Sequence, residues 1–211
     1  NCHRMAGISA LCMARLLSAT ALASCIQDSG PMSLQVLGDG HLGQAYADIT
    51  QEGAMRGYVK NPTLAFAQGT DFRQRLRVGP ALGQGSLSVI RLGQGREFAQ
   101  STTDLLSGEI DADVEHFMGA SEQVPTALYC DALLGDKQVL SAAGGLIIQA
   151  MPDADTGTIK KIKQDIKQIR QDKASLLATD PATIVQTLLP NAQASASPRP
   201  LLWKCRCSQE R

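Results

Sequence analysis

The alternation of apolar and polar residues changes character several times along the chain. From Met5 to Ile26 nearly every position is apolar or small, and Arg15 is the single charge. A helix that is apolar all round is one buried on all sides. A membrane span fits poorly, because Ser9, Arg15, Ser18, Thr20 and Ser24 interrupt the stretch. Asp28-Ser29-Gly30-Pro31 ends it. Met32, Leu34 and Val36 then alternate with Ser33 and Gln35, the two-residue period of a half-buried strand. Leu42 to Ile49 and Ala54 to Val59 flank Thr50-Gln51-Glu52-Gly53, a hairpin pattern. Residues 66–85 carry no clear period. Gly85 to Leu92 and Phe98 to Thr102 read as two strands joined through Gly93-Gln94-Gly95.

The period then lengthens. Ile110, Val114, Phe117 and Met118 fall on one face of a helix over Asp111 to Ser121. Thr126 to Ala132 returns to strand, Leu133 to Lys137 turns, and Gln138 to Met151 forms the next strand. Gly144-Gly145 inside that strand predicts a bulge or a close approach of backbones. Strands joined by hairpins with helices segregated from them give an α+β fold, a compact antiparallel or mixed sheet with helices over residues 1–152. A different segment, 153–200, follows. Ile159, Ile162, Ile166 and Ile169 make one apolar stripe. Between Gly157 and Lys173 lie six basic residues and two acidic ones, the composition of a solvated helix face or of a docking helix. Asp180-Pro181 starts another helix, which runs to about Leu189 with Ile184, Val185 and Leu188 apolar. Asn191 to Pro200 is an Ala/Ser/Pro-rich linker.

Composition narrows the function. Of 211 residues 44% are hydrophobic, enough for a core, but only 4% are aromatic, so the core rests on aliphatic side chains. Lys+Arg and Asp+Glu are 20 each. That balance lacks the basic excess of a nucleic-acid or anionic-membrane binder, and neither partner is expected. The first residue is Asn, and the chain is read as a fragment. Gly38-Asp39-Gly40-His41-Leu42-Gly43 matches a dinucleotide-binding pattern by letter, but a hairpin follows where a helix is required, so it reads as a turn. No phosphate-cradling loop occurs, and His3, His41 and His116 have no metal-site spacing. Glu109, Asp111, Asp113 and Glu115 cluster at a helix start, where acidic groups favour the helix dipole, so they read as capping residues. No catalytic constellation emerges.

Cysteine carries the chemistry. Cys2, Cys12, Cys25 and Cys130 are scattered among apolar residues and read as buried thiols in a reducing compartment. Cys205-Arg206-Cys207 differs: in an extended segment both sulfurs point the same way, and Lys204 and Arg206 favour the thiolate. Thiolates bind zinc and react with oxidants. A structural zinc site needs four ligands, of which this pair supplies two.

The chain resembles the 33-kDa chaperonin family, redox-regulated heat-shock holdases. The resemblance rests on four blocks: Leu34 to Gly40 with Met55 to Val59; Ser121-Glu122-Gln123-Val124-Pro125-Thr126; Ala142 to Pro152; and Lys204 to Arg211. It implies a substrate-binding core (1–152), a metastable helical linker (153–200) and the start of a zinc redox-switch domain (201–211), with Cys205 and Cys207 matching the family's C-x-C as zinc ligands and redox switch. The family's later C-x-x-C has no counterpart here, so the zinc site is expected to be incomplete. The implied activity is ATP-independent, non-enzymatic binding of unfolding client proteins after the zinc-holding cysteines are oxidised. A homodimer when oxidised and a cytoplasmic location, organellar in a eukaryotic source, go with it. A plain zinc-dependent interaction module, or an enzyme with an unrecognised site, are the alternatives. Either would leave aggregation of unrelated proteins unchanged.

Overall fold

A computed structural model describes residues 5–26, 31–71, 75–92, 98–171, 177, 180–193 and 198–204. The expected α+β fold is present. Its main sheet has six strands in the order β5 (Phe98–Asp104), β4 (Gly85–Leu92), β1 (Met32–Gly38), β2 (Gln44–Ile49), β3 (Ala54–Val59), β8 (Leu202–Trp203). Neighbours are antiparallel except β3 and β8, which run parallel. A second sheet is the hairpin β6 (Thr126–Leu134) and β7 (Leu140–Gln149). The Gly38–Gly43 segment is the expected turn between β1 and β2. Gly38 N–H donates to Gly43 O (2.7 Å), and Gly43 takes a φ of 70° that favours glycine.

Helix α1 (Gly7–Ile26) lies between the two sheets, against β1, β2 and β3 on one side and β6 and β7 on the other. This placement explains why the helix has no polar face. It is long and apolar enough to cross a membrane by composition, and 72% of its most apolar 18 residues are buried inside the protein. Leu11, Leu16 and Ala19 are fully buried. Helix α3 (Ile110–Ser121) packs on α1 and β6 through Val114, Phe117 and Met118. A short helix, α2 (Gly79–Leu82), occupies the span that carried no clear period.

Strand β6 is buried on both faces. Leu128, Cys130, Ala132 and Leu134 join the main core, while Ala127 and Tyr129 join a second apolar cluster on the opposite face. Gly145 sits opposite Cys130, and a Cβ there would lie 2.2 Å from Tyr129 O. The glycine pair therefore marks a close backbone approach. The register shift of the hairpin falls at Leu133/Leu134 instead. Gly145→Ala should lower stability by about 1–3 kcal/mol, as overpacking does. An unchanged denaturation midpoint would contradict the close approach.

Candidate functional site

The second apolar cluster is where the two helices after β7 meet the β6–β7 hairpin. Helix α4 (Thr156–Gln171) is started by Asp155, whose Oδ2 accepts from Thr158 N–H (2.7 Å). Ile159, Ile162 and Ile166 recur at helical spacing and are buried against Ala127 and Tyr129 of β6, with Leu146 and Ile148 of β7 beside them. Helix α5 (Pro181–Leu188), capped by Asp180 accepting from Thr183 N–H (3.1 Å), adds Leu188 to the same cluster. Val185, expected on its apolar face, is exposed. Lys160, Lys161 and Lys167 face solvent. Each buried isoleucine contributes about 1.5–3 kcal/mol. Few side chains hold α4 down, and its outer surface is solvated.

At the C-terminal end of α4 the contact becomes ionic. Arg170 donates through Nε to Asp111 Oδ2 (2.9 Å), and through Nη2 to Glu115 Oε2 (2.8 Å) and to Leu128 O. Leu128 lies on the edge of β6 away from β7. That edge has no strand partner among the described residues, and charged side chains take a strand's place. Glu115 accepts from Leu128 N–H (3.1 Å), Asp111 from Cys130 N–H (3.4 Å), and Arg75 donates to Cys130 O (3.1 Å). The acidic run is thereby corrected. Glu109, Asp111 and Glu115 are chiefly arginine partners rather than caps of α3. Glu109 also accepts from Val78 and Gly79 N–H at the start of α2. Asp113 does bind local backbone, accepting from Leu106 and Ser107 N–H, and burial raises its carboxyl pKa.

The network continues inward. Arg15, with no exposed side-chain area, donates to Glu109 (3.1 Å), Asp131 (2.7 Å) and Leu76 O (2.8 Å). Arg75 bridges Asp111 (2.9 Å) and lies over the Tyr129 ring, 5.4 Å from its centroid. Tyr129 OH donates to Asp131. Burial alone would raise the Asp131 carboxyl; the Arg15 guanidinium, with help from Arg75, holds it below the ordinary carboxylate value of 3.8.

The thiols divide by environment. Cys12 and Cys130 are buried, as expected; burial pushes Cys12 up to about 12 and Cys130 well above its ordinary value. Both stay protonated and make poor metal ligands. Cys25, near the end of α1, is exposed, which corrects the expectation that it is buried. Cys2, Cys205 and Cys207 lie outside the described residues. The residue before Cys205 is placed: Lys204 N–H donates to Met55 O (2.9 Å), next to β8 at the edge of the main sheet. Among the described residues no cluster of three or more His, Cys, Asp or Glu could hold a metal. In the folded protein, a small alkylating reagent should modify Cys25 within minutes and leave Cys12 and Cys130 untouched until denaturant is added. Peptide mapping by mass spectrometry would read this, and rapid labelling of Cys12 would contradict the burial.

Residues 1–211 match the family described as Hsp33 protein. The chain belongs to the Hsp33 family. It is 31% identical over 192 residues to the 33 kDa chaperonin of Bacillus subtilis (strain 168), covering 90% of this chain and 65% of that protein. It is 31% identical over 214 residues to the 33 kDa chaperonin of Acetivibrio thermocellus, covering 99% and 71%. The chain thus spans about two thirds of the length of these relatives. A crystal structure of the 33 kDa chaperonin from Thermotoga maritima shares the fold, with a TM-score of 0.85, 24% identity, and coverage of 99% of this chain and 71% of that one. Hsp33 relatives carry the name of a chaperone, not of an enzyme. Arg15, Arg75 and Arg170 escaped sequence reading as functional positions. The available signal was an arginine ending an isoleucine stripe otherwise flanked by lysines, since only arginine offers a planar multi-donor fork.

Proposed function

We infer that this chain is an ATP-independent holdase whose linker covers the surface that takes up unfolding proteins. The observation that carries the reading is α4 seated on the β6–β7 hairpin, with an apolar underside, a solvated upper face and few anchoring side chains. Lifting α4 would bare Ala127, Tyr129, Leu146 and Ile148, a strip able to hold the apolar segments of a client. In this reading residues 1–152 are the core, 153–200 the linker and 201–211 the start of the redox domain, with Leu202 and Trp203 tied to the edge of the main sheet.

Cys205 and Cys207 are the residues that would hold zinc, as two of four ligands. Zinc bound there would supply folding free energy to the segment beyond β8. Oxidation of the two thiolates by one peroxide, itself reduced to water, would join them in a disulfide and abolish the ligands. The segment that helps restrain the linker would then lose its fold. Such control fits a reducing compartment, which we take to be the cytoplasm. With only the C-x-C pair, the 211-residue chain should retain well under one zinc per chain after dialysis against a mild chelator. Stoichiometric zinc would show that other residues complete the site.

The deciding experiment follows light scattering of a heat-denatured client enzyme, with reduced or peroxide-treated protein, with and without ATP. Aggregation should fall on peroxide treatment of a chain carrying all four zinc ligands, the 211-residue chain with its half-complete site should respond less, and ATP should change nothing in either. A Cys205→Ser/Cys207→Ser chain should lose the response to peroxide. Unchanged aggregation in every redox state would overturn the reading.

A further inference from the structure

Asp111, Glu115 and the Leu128 carbonyl converge on one guanidinium at the end of the apolar strip. We propose that this triad is an arginine socket: once α4 lifts, it selects client segments in which an arginine follows an aliphatic helical stripe, as Arg170 follows Ile159, Ile162 and Ile166. The proposal rests on the reading that α4 covers the client surface.

Three observations carry it. The socket is built, with three acceptors on two nitrogens of one planar group: Oδ2 of Asp111 at Nε, and Oε2 of Glu115 and O of Leu128 at Nη2. An ammonium group has no such fork. With α4 seated, the socket is also desolvated. Asp111 has no exposed side-chain area, Glu115 has 16%, and Asp111 Oδ1 is buried with no hydrogen-bond partner among the described residues. Finally, the charge balance needs a cation. Without Arg170, Arg75 is the remaining cation on Asp111 among the described residues, and Glu115 keeps the Leu128 N–H as its described partner. Removing one member of a buried charge pair leaves the other uncompensated, so a vacated socket favours any chain that brings a guanidinium back. The apolar strip beside it would bind many sequences with little discrimination. The socket adds register and sign.

The test uses the full chain carrying Ile166→Asp, which places a charge in the apolar cluster and lifts α4, with Ile162→Asp as a second variant. The probes are fluorescein-labelled peptides with the sequence of residues 156–171, the natural one and ones bearing Lys or Gln in place of the arginine. Fluorescence anisotropy reads affinity. The arginine peptide should bind about tenfold or more tightly than the glutamine peptide, as a charge-assisted multi-donor contact does, with lysine between them. Adding Glu115→Gln, or raising the salt on the unchanged socket, should shrink the difference. Equal binding by all three peptides, while the Ile166→Asp chain still suppresses client aggregation, would overturn the socket and leave the holdase reading standing. No peptide binding and no suppression of aggregation would overturn both.

Discussion

Ile166→Asp is expected to detach α4 and turn the protein on without an oxidant. Ile166 has no exposed area and belongs to the cluster with Ile159, Ile162, Ala127 and Tyr129. Losing its burial removes about 1.5–3 kcal/mol, and the carboxylate cannot stay in the apolar cluster. The effect should be local, because α4 packs on the outer face of β6 whereas the main core lies on the other face. Amide exchange across residues 156–171 should quicken by about 10- to 100-fold, the signature of sub-global opening, while β1 and β2 keep their protection. Reduced Ile166→Asp protein should then suppress client aggregation as oxidised wild type does. Wild-type protection over α4 in this variant would refute the seating. Lost protection without client binding would instead refute the function assigned to the strip beneath.

A second substitution should act on the whole fold. Arg15→Met leaves Glu109 and Asp131 inside the protein without their principal cation. Breaking a buried pair this way costs about 3–5 kcal/mol, a large part of a typical domain's stability. At roughly 2–4 °C per kcal/mol for a chain of this size, melting should fall by about 6–20 °C. Adding Glu109→Gln and Asp131→Asn should recover part of the loss, since amides are cheaper to bury than carboxylates. The acid limb gives a separate reading. The Asp131 carboxyl is held below its ordinary value, so its pairing stabilises the fold above about pH 3.8 and is lost as the pH falls through the lower, folded-state value. Arg15→Met should therefore flatten that part of the stability profile. A melting temperature within a degree of wild type would mean that Arg15 is dispensable.

These two residues also mark what the chain reveals before it is folded. The strands and their turns were legible because Met32–Leu34–Val36 and the glycine-rich connections are local patterns. Helix α4 was legible from four isoleucines at helical spacing, and its stripe does face the core. Pairing across long separations was not. Arg15 meets Asp131 from 116 positions away, and a lone charge in an apolar helix carries no mark of its partner. Asp111 and Glu115 looked like helix-start acids because that role is set by position alone, whereas their pairing with Arg170 appears only once β6 brings α4 alongside α3. The two-residue strand β8 was hidden for a related reason: Leu202-Trp203 is too short to show a period, and the edge of β3 determines its conformation.

The central position of α1 has a consequence for how the protein is made. This helix is the first described element to leave the ribosome, yet one side of it packs on β6 and β7, roughly 100 residues later. At about 5–20 residues per second, synthesis keeps that side of α1 uncovered for roughly 5–20 s. During that interval the nascent chain displays the kind of sticky helix that its finished form is inferred to shield in others, so the protein is itself in need of protection at birth.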